Sequence, residues 1–222
     1  MSVDTELQTR LKAVETADSA QSLLDAVEAL ADLKDEAAID TLIRVLGYNN
    51  PGAAVAAVDG LIQLGTPAAS ALLDQIDGYN YGARAWALRV LAGIGDPRGL
   101  DLILETAAED FSLSVRRAAA RGLGAIQWEK LADDAERQAA QTQARDTLLT
   151  VVKTDPEWVV RYGAVVGLQG IGTAAAAYQF VDLVKPIEVG LRDCLAHDDT
   201  LAVQARAEWA LSQLAALPDA SQ

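Results

Sequence analysis

The chain has 222 residues, of which 51% are hydrophobic, and it carries a formal net charge of -14 with a pI of about 4.4. This acidic balance argues against nucleic-acid binding, because affinity for phosphate backbones comes from clustered lysines and arginines. No apolar run approaches the ~20 residues that a membrane span requires, and the acidic N-terminus lacks the apolar core of a signal peptide.

One helical pattern recurs six times along the chain. It centres on an anchor leucine, with alanine four residues before it and leucine or isoleucine three residues after it. The six anchors are Leu30, Leu61, Leu91, Leu123, Leu168 and Leu211. This spacing places three apolar residues on one helix face. Because the residues directly before the anchors are mostly small, we expect neighbouring helices to approach one another closely.

A second helix is predicted between successive anchors, most clearly at residues 38–46. A capping residue followed by proline indicates where helices begin, since proline needs no N–H partner in the first turn. These pairs are Asn50–Pro51, Thr66–Pro67, Asp96–Pro97 and Asp155–Pro156. The first four anchors lie roughly 30 residues apart, which is typical of stacked helical hairpins.

We therefore predict an all-α fold, a right-handed α-α superhelix of five to six HEAT-like repeats that forms a crescent. A single solenoid would span residues 1–222. Wider spacing of the last anchors indicates insertions. Residues 129–144 are polar and free of Gly and Pro, so a mostly exposed helical insertion is expected there. A second insertion follows Gly172, and Pro186 would kink or break its helix.

Arginines recur seven residues before three of the anchors, and an aspartate precedes each of them. The pairs are Asp77–Arg84, Asp110–Arg116 and Asp155–Arg161. One interpretation is a structural ladder, in which each aspartate caps a helix and binds an arginine of its own or the next repeat. The other is that an arginine faces the concave surface and binds an anion. Arg117 and Arg121 lie outside this register, one turn apart, and form either an anion clamp or a solvated face.

Aromatic and amide side chains cluster in the turns that precede the anchor helices. The cluster comprises Tyr48, Asn49, Tyr79, Asn80 and Tyr81, with Arg84 and Trp86 just beyond. Buried tyrosine hydroxyls and amides need hydrogen-bond partners, so their polarity favours a surface strip suited to a flat conjugated ligand. The alternative is that these aromatics fill gaps between repeats. Trp128 ends the fourth anchor helix, where a core position is the simpler interpretation.

No nucleophile–base pair and no glycine-rich phosphate loop is visible, so catalysis would depend on tyrosine and aspartate. The candidates are Tyr79, Tyr81, Asp77 and Asp110. The single Cys194 excludes an internal disulfide framework and indicates a reducing, cytoplasmic location. With the only histidine, His197, it cannot complete a four-ligand zinc site, so no metal is expected.

Three segments resemble the phycobilin lyases with HEAT-like repeats, most closely the F-type subunits of phycocyanin α-subunit phycocyanobilin lyases. They are GYNNPGAAVAAVDGL (47–61), DGYNYGARAWALRVLAGIGDPR (77–98) and DFSLSVRRAAARGLGAIQW (110–128). The resemblance is strong from Leu23 to Trp128 and looser elsewhere. It implies a carbon–sulfur lyase that works as a heterodimer with an E-type subunit. The pair would attach phycocyanobilin, its substrate rather than a cofactor, through a thioether to a cysteine of the phycocyanin α subunit.

The resemblance also implies roles for the residues above. The tetrapyrrole would lie on the aromatic strip, its propionates would bind Arg117 and Arg121, and Asp77 or Asp110 would accept its pyrrole N–H groups. The implied ligand contacts are Tyr48, Asn49, Tyr79, Asn80, Tyr81, Arg84, Trp86, Arg116, Arg117, Arg121 and Trp128. Residues 49–52 lack the His-Cys motif of isomerising relatives, which favours attachment without isomerisation. A non-catalytic adaptor in phycobilisome assembly or degradation and a general protein scaffold are the alternatives.

Overall fold

The computed structural model describes residues 3–75 and 81–217, which contain twelve α-helices and no strand. Contacts divide the chain into two compact units, residues 1–94 and 95–222. The first unit contains α1 (Val3–Thr16), α2 (Ala20–Ala31), α3 (Ile39–Val45), α4 (Pro51–Leu64), α5 (Thr66–Gln75) and α6 (Tyr81–Ile94). The second contains α7 (Leu100–Glu109), α8 (Leu113–Leu123), α9 (Asp134–Thr154), α10 (Trp158–Ala177), α11 (Val181–His197) and α12 (Leu201–Ala215).

In the first unit, the anchor helices α2, α4 and α6 pack side by side in chain order, and α3 and α5 pack against them. The anchors Leu30, Leu61 and Leu91 are buried, as the repeat pattern predicts. Gly60 stands directly before an anchor, and a Cβ there would lie 2.7 Å from the Cβ of Ala31. The small residue therefore permits the close approach of α2 and α4.

The second unit repeats this arrangement with two rows of helices. One row is α8, α10 and α12, and the other is α7, α9 and α11. The hairpins are the pairs α7–α8, α9–α10 and α11–α12, each with one helix in each row. Leu123 and Leu168 are fully buried, whereas the last anchor, Leu211, is partly exposed. A Cβ on Gly167 would collide with the carbonyl oxygen of Ala120, so α8 and α10 also approach closely. In both units the prediction of an all-α fold of stacked helical hairpins is confirmed.

Two of the predicted helix boundaries are placed differently by the structure. Asn50 caps α4 as expected, because its Oδ1 accepts a hydrogen bond from the Ala53 N–H at 3.0 Å. Asp155 instead ends α9, and α10 begins three residues later at Trp158. Proline at 186 does not break α11, which continues from Val181 to His197.

The polar segment 129–144 lies partly in a short 3₁₀ turn, Trp128–Lys130, and partly in the first half of α9. Asp133 caps α9 by accepting the Glu136 N–H. Arg137 and Gln141 are buried, since α9 packs against α7 and α10. Most residues of the segment are exposed, as its composition suggests, and buried positions such as Arg137 and Gln141 attach it to the neighbouring helices. One solenoid spanning residues 1–222 stays a prediction.

No single helix in residues 3–75 and 81–217 is long and apolar enough to cross a membrane. The sharply bent pair Pro51–Leu64 and Thr66–Asp74 reaches the necessary length and hydropathy only when both helices are taken together.

Candidate functional site

Part of the predicted aromatic strip lies outside the described residues, namely Asp77, Tyr79 and Asn80. Tyr81 is the first residue of α6, and its side chain is likewise outside the described set. Tyr48 and Asn49 are exposed in the turn before α4. Within α6, Arg84 and Trp86 are partly buried, and the guanidinium of Arg89 lies 4.4 Å from the centroid of the Trp86 ring.

Arg116 forms a structural contact between two repeats of the second unit. Its Nε and Nη2 donate to the Asp155 carboxylate at 2.7 and 3.1 Å, and its Nη1 donates to the carbonyl of Asp110 at 2.8 Å. The Arg116 and Asp155 side chains are only 11% and 6% exposed. The hydrogen bond with Asp155 outweighs burial and raises the pKa of Arg116. These contacts support the ladder interpretation for Arg116.

Arg161 repeats the same contact one hairpin later. Its Nε and Nη2 donate to the Asp198 carboxylate at 2.8 and 3.1 Å, and its Nη1 donates to the carbonyl of Asp155 at 3.0 Å. Burial disfavours the charged form of Asp198, but hydrogen bonds from Arg161 and the Thr200 N–H outweigh it and lower the pKa. Asp198 was not among the predicted ladder residues. Its spacing could have revealed it, because it stands three residues before α12, as Asp155 stands three before α10.

The predicted clamp residues, Arg117 and Arg121, are exposed on one side of α8. Within the described part of the chain, neither side chain makes a hydrogen bond or an ion pair. The neighbouring helix α10 contributes Gly163 at this point, where a Cβ would lie 3.2 Å from the Arg117 Cγ and 3.5 Å from the Arg121 Cγ. The glycine leaves room for both side chains beside α10.

A third arginine, Arg206 of α12, was missed by the sequence reasoning. It is only 8% exposed, its Nη2 donates to the Gln169 Oε1 at 2.6 Å, and its guanidinium lies 4.5 Å from the centroid of the Trp209 ring. Its Nη1 is buried without a hydrogen-bond partner in the described structure. The repeat pattern does contain a signal for this residue. Arg206 stands five residues before the anchor Leu211, and the same position holds the small residues Ala118 in α8 and Gly163 in α10.

The pKa of Arg206 is influenced by the side chains around it. Burial is the main cause and lowers this pKa. The Tyr162 phenol raises the pKa, and repulsion from Arg121 lowers it further. We call this surface the arginine face. It is formed by Arg117, Arg121, Tyr162, Gln169, Arg206 and Trp209. Cationic donors and aromatic rings without a neighbouring carboxylate can bind an anionic, conjugated molecule.

Two other candidate residues, Trp128 and Asp110, make contacts that stabilise the fold. Trp128 is 3% exposed, and its carbonyl accepts a hydrogen bond from the Arg137 Nε at 2.9 Å, so it occupies the core position that was the simpler interpretation. The Asp110 carboxylate accepts the Ser112 N–H at 2.8 Å. Because the Asp110 carboxylate already has a local hydrogen-bond partner, the exposed arginines are better candidates for binding a ligand than this aspartate.

Cys194 lies in a cleft of about 500 Å³ whose lining includes His197 and four aspartates. Burial raises the pKa of the thiol to about 11, so it is not a nucleophile near neutral pH. The Nδ1 of His197 contacts Asp193 at 3.0 Å. Because of its aspartates, this cleft is unsuited to an anionic ligand. Among the described residues, no group of three or more His, Cys, Asp or Glu side chains is placed to hold a metal ion.

Comparison with known proteins gives two matching family models. "PBS lyase HEAT-like repeat" matches residues 23–48, and "HEAT repeats" matches residues 70–142. A "Phycobilisome maturation protein" of Synechococcus elongatus is 53% identical over 93% of this chain and 97% of its own length. "Phycocyanin alpha phycocyanobilin lyase CpcF" of Synechocystis sp. is 49% identical over 96% of each chain.

A solved structure also matches this chain. It is the complex of CpcE and CpcF of phycocyanin lyase from Nostoc sp. PCC7120, in which the matching chain is 50% identical with a TM-score of 0.69. The match covers 79% of this chain and 99% of that one. The predicted resemblance to HEAT-like repeat lyases is thereby confirmed. On identity over nearly its whole length, the chain belongs to the family of CpcF-type, HEAT-like repeat phycocyanobilin lyase subunits.

Proposed function

We propose that this chain is the F-type subunit of a heterodimeric bilin lyase. With an E-type partner it binds phycocyanobilin and attaches the pigment by a thioether bond to a cysteine of the phycocyanin α subunit. The names of its relatives and the pairing of CpcE with CpcF in the solved complex support this function.

The arginine face is the observation that carries the proposal for this chain. The protein has a net charge of -14, yet Arg117, Arg121 and Arg206 have no carboxylate partner in the described structure. An acidic chain has ample carboxylates to pair with its arginines, as Arg116 and Arg161 demonstrate. Unpaired arginines beside aromatic rings suit a pigment with two propionates and an extended conjugated face.

Residues of the first unit form a separate set of proposed pigment contacts. Tyr48 and Asn49 are exposed in their turn, and Tyr79, Asn80 and Tyr81 occupy the matching place in the sequence one repeat later, where Tyr81 is the first residue of α6. Their ring faces and amides could lie against the tetrapyrrole, and Arg84 and Trp86 follow in α6. Asp77 and Asp110 remain candidates for accepting the pyrrole N–H groups.

The chemistry requires no nucleophile from this chain. The acceptor cysteine supplies the thiol, which adds across a carbon–carbon double bond of the pigment. The sulfur forms one C–S bond, the π bond breaks, and the thiol proton is transferred to the adjacent carbon, so no oxidant or reductant is needed. The contribution of this chain is to hold the pigment in one conformation and present the reacting carbon, a proximity effect. The high pKa of Cys194 agrees with this passive role for its own thiol.

Co-expression with an E-type subunit, a phycocyanin α subunit and phycocyanobilin tests the proposal. We expect covalently pigmented α subunit, detected by absorbance and by pigment that stays bound after denaturation. Arg117→Ala with Arg121→Ala should lower the yield and weaken pigment binding while leaving helical content and melting nearly unchanged.

The matched control for this pair is Arg192→Ala, since Arg192 is an exposed arginine of α11 that pairs, among the described residues, only with Glu188. An adaptor would bind assembled phycobiliprotein and transfer no pigment. A general scaffold would not bind the pigment at all. Either outcome, in an assay where an established F-type subunit succeeds, would contradict the proposal.

A further inference from the structure

Arg206 is the one arginine of the second unit whose burial has no evident structural compensation among the described residues. Placing a charged group away from water is costly unless it is paired and hydrogen-bonded. Arg116 and Arg161 meet this requirement with the carboxylates of Asp155 and Asp198, and Arg137 meets it with Asp134. Arg206 has the neutral amide of Gln169 and the ring of Trp209, but no carboxylate. Among the described residues its charge therefore has no anionic partner, and a bound anion would supply that partner.

The geometry leaves one specific donor for that partner. The Gln169 Oε1 occupies Nη2 at 2.6 Å, whereas Nη1 is buried and unsatisfied. A buried donor without a partner is uncommon in native structures and costs free energy. The half-exposed ring of Trp209 stacks on the guanidinium with a separation of 4.5 Å. One face of the guanidinium is therefore covered by the Trp209 ring.

A second cation, Arg121 of α8, acts electrostatically on Arg206. Arg121 is exposed and has no acidic partner in the described structure, and its charge is the smallest of the three causes that shift the pKa of Arg206, which it lowers. Two cations without an anion between them destabilise one another, and an anion bound by both would relieve that repulsion. A carboxylate fits well, because it can accept one hydrogen bond from each guanidinium.

We propose that Arg206, together with Arg121, forms a buried subsite for a carboxylate of the bilin, with Trp209 covering it. This inference rests on the proposed function for the identity of the occupant. The carboxylate would accept a hydrogen bond from the Arg206 Nη1 and pair with the Arg121 guanidinium. Since Nη1 is buried, this subsite would hold its carboxylate more tightly than the exposed Arg117.

The first test uses sodium propionate as the probe and does not depend on bilin binding. The melting temperature of the full chain is measured in sodium propionate and in sodium chloride at equal ionic strength. A ligand that binds only the folded protein raises its melting temperature. We expect propionate to raise it for the wild type and for Arg192→Gln, but not for Arg206→Gln. Because each variant is compared with itself in chloride, a change in its basal stability does not affect the result.

The second test identifies the occupant, using the complex with its E-type partner. Phycocyanobilin and its dimethyl ester are compared, since esterification removes both carboxylate charges. A hydrogen bond to a charged group corresponds to roughly a 10-fold to 100-fold change in affinity. We expect the wild type to prefer the free acid by about that factor, and Arg206→Gln to lose most of the preference. Arg206→Lys, which keeps the charge but loses the planar fork, should retain part of it.

The outcomes separate the subsite from the proposed function. If propionate raises the melting temperature of Arg206→Gln as much as that of the wild type, there is no carboxylate subsite at Arg206. If the propionate effect needs Arg206 but acid and ester bind equally, the occupant is not a bilin carboxylate and the inference fails there. If no bilin binds at all while the propionate effect needs Arg206, the subsite stands and the proposed function fails.

Discussion

Replacing Arg161 by methionine should destabilise the second unit strongly. The side chains of Arg161 and Asp198 are 11% and 5% exposed, and two hydrogen bonds join them. Methionine retains much of the side-chain volume but leaves Asp198 buried with the Thr200 N–H as its main remaining donor. Breaking a buried pair from one side typically costs about 3–5 kcal/mol. At roughly 2–4 °C per kcal/mol for a chain of this size, the melting temperature should fall by roughly 6–20 °C.

Thermal unfolding followed by circular dichroism measures this effect, and a second substitution tests its cause. Asp198→Asn in the Arg161→Met background removes the unpaired charge, so it should recover part of the loss. Recovery stays incomplete because the carbonyls of Asp155 and Pro156 also lose their donor. The control is Arg192→Met, which removes an exposed i,i+4 pair with Glu188 that should contribute little. If Arg161→Met melts within about 1 °C of this control, the ladder is not a source of stability.

The same pair predicts a dependence on pH. The pKa of Asp198 is lowered in the folded protein, so the pair stabilises the fold above the unfolded pKa of aspartate, about 3.9. That contribution is lost as the pH falls through the lower, folded pKa, because protonation then favours the unfolded chain. The difference in melting temperature between wild type and Arg161→Met should therefore shrink below about pH 4. A difference that is constant from pH 7 to pH 3 would contradict the assignment.

Three further predictions follow from burial and packing. Cys194, with a pKa of about 11, should exist as thiolate in only about one molecule in a thousand at pH 8, so iodoacetamide should label the native chain far more slowly than the urea-unfolded chain. Gly167→Ala should lower stability by about 1–3 kcal/mol, because the new Cβ meets the Ala120 carbonyl, whereas Gly52→Ala meets only ordinary contacts and should be tolerated in a melting experiment. Arg206→Met should leave the melting temperature of the isolated chain unchanged or higher, since it removes an uncompensated buried charge, and a large drop would show that the residue is structural.

Several features of the fold could be predicted from the sequence because they depend on near neighbours. The stripe around Leu61 or Leu168 follows from the period of the helix, and both residues are fully buried. The cap at Asn50 depends on an N–H only three residues away. Predictions of this kind were less accurate where local rules compete. Asp155 resembles a helix cap but ends α9, and Pro186 resembles a break but lies within α11.

The candidate site was only partly predictable. Arg117 and Arg121 were identified because they lie one turn apart on the same helix, a relation that is local. Arg206 was not identified, because nothing near it in sequence indicates that Gln169 and Trp209 surround it or that a carboxylate is lacking. Its register position, five residues before the anchor, is small in the other two anchor helices of the second unit, Ala118 in α8 and Gly163 in α10, and this difference was the available signal.

The sequence by itself determined that the chain forms repeated helical hairpins, since periodicity, caps and small residues act over one or two helical turns. Only the tertiary structure decided which arginines are bound and which are free. Arg161 meets Asp198 across 37 positions of the chain, while Arg206 at a comparable depth meets a neutral amide and an aromatic ring but no carboxylate of the described residues. Whether a charge is paired depends on the groups that other repeats bring to within a few ångströms of it. That proximity is a property of the packed helices, and the repeat register of the sequence only points to where such pairs can form.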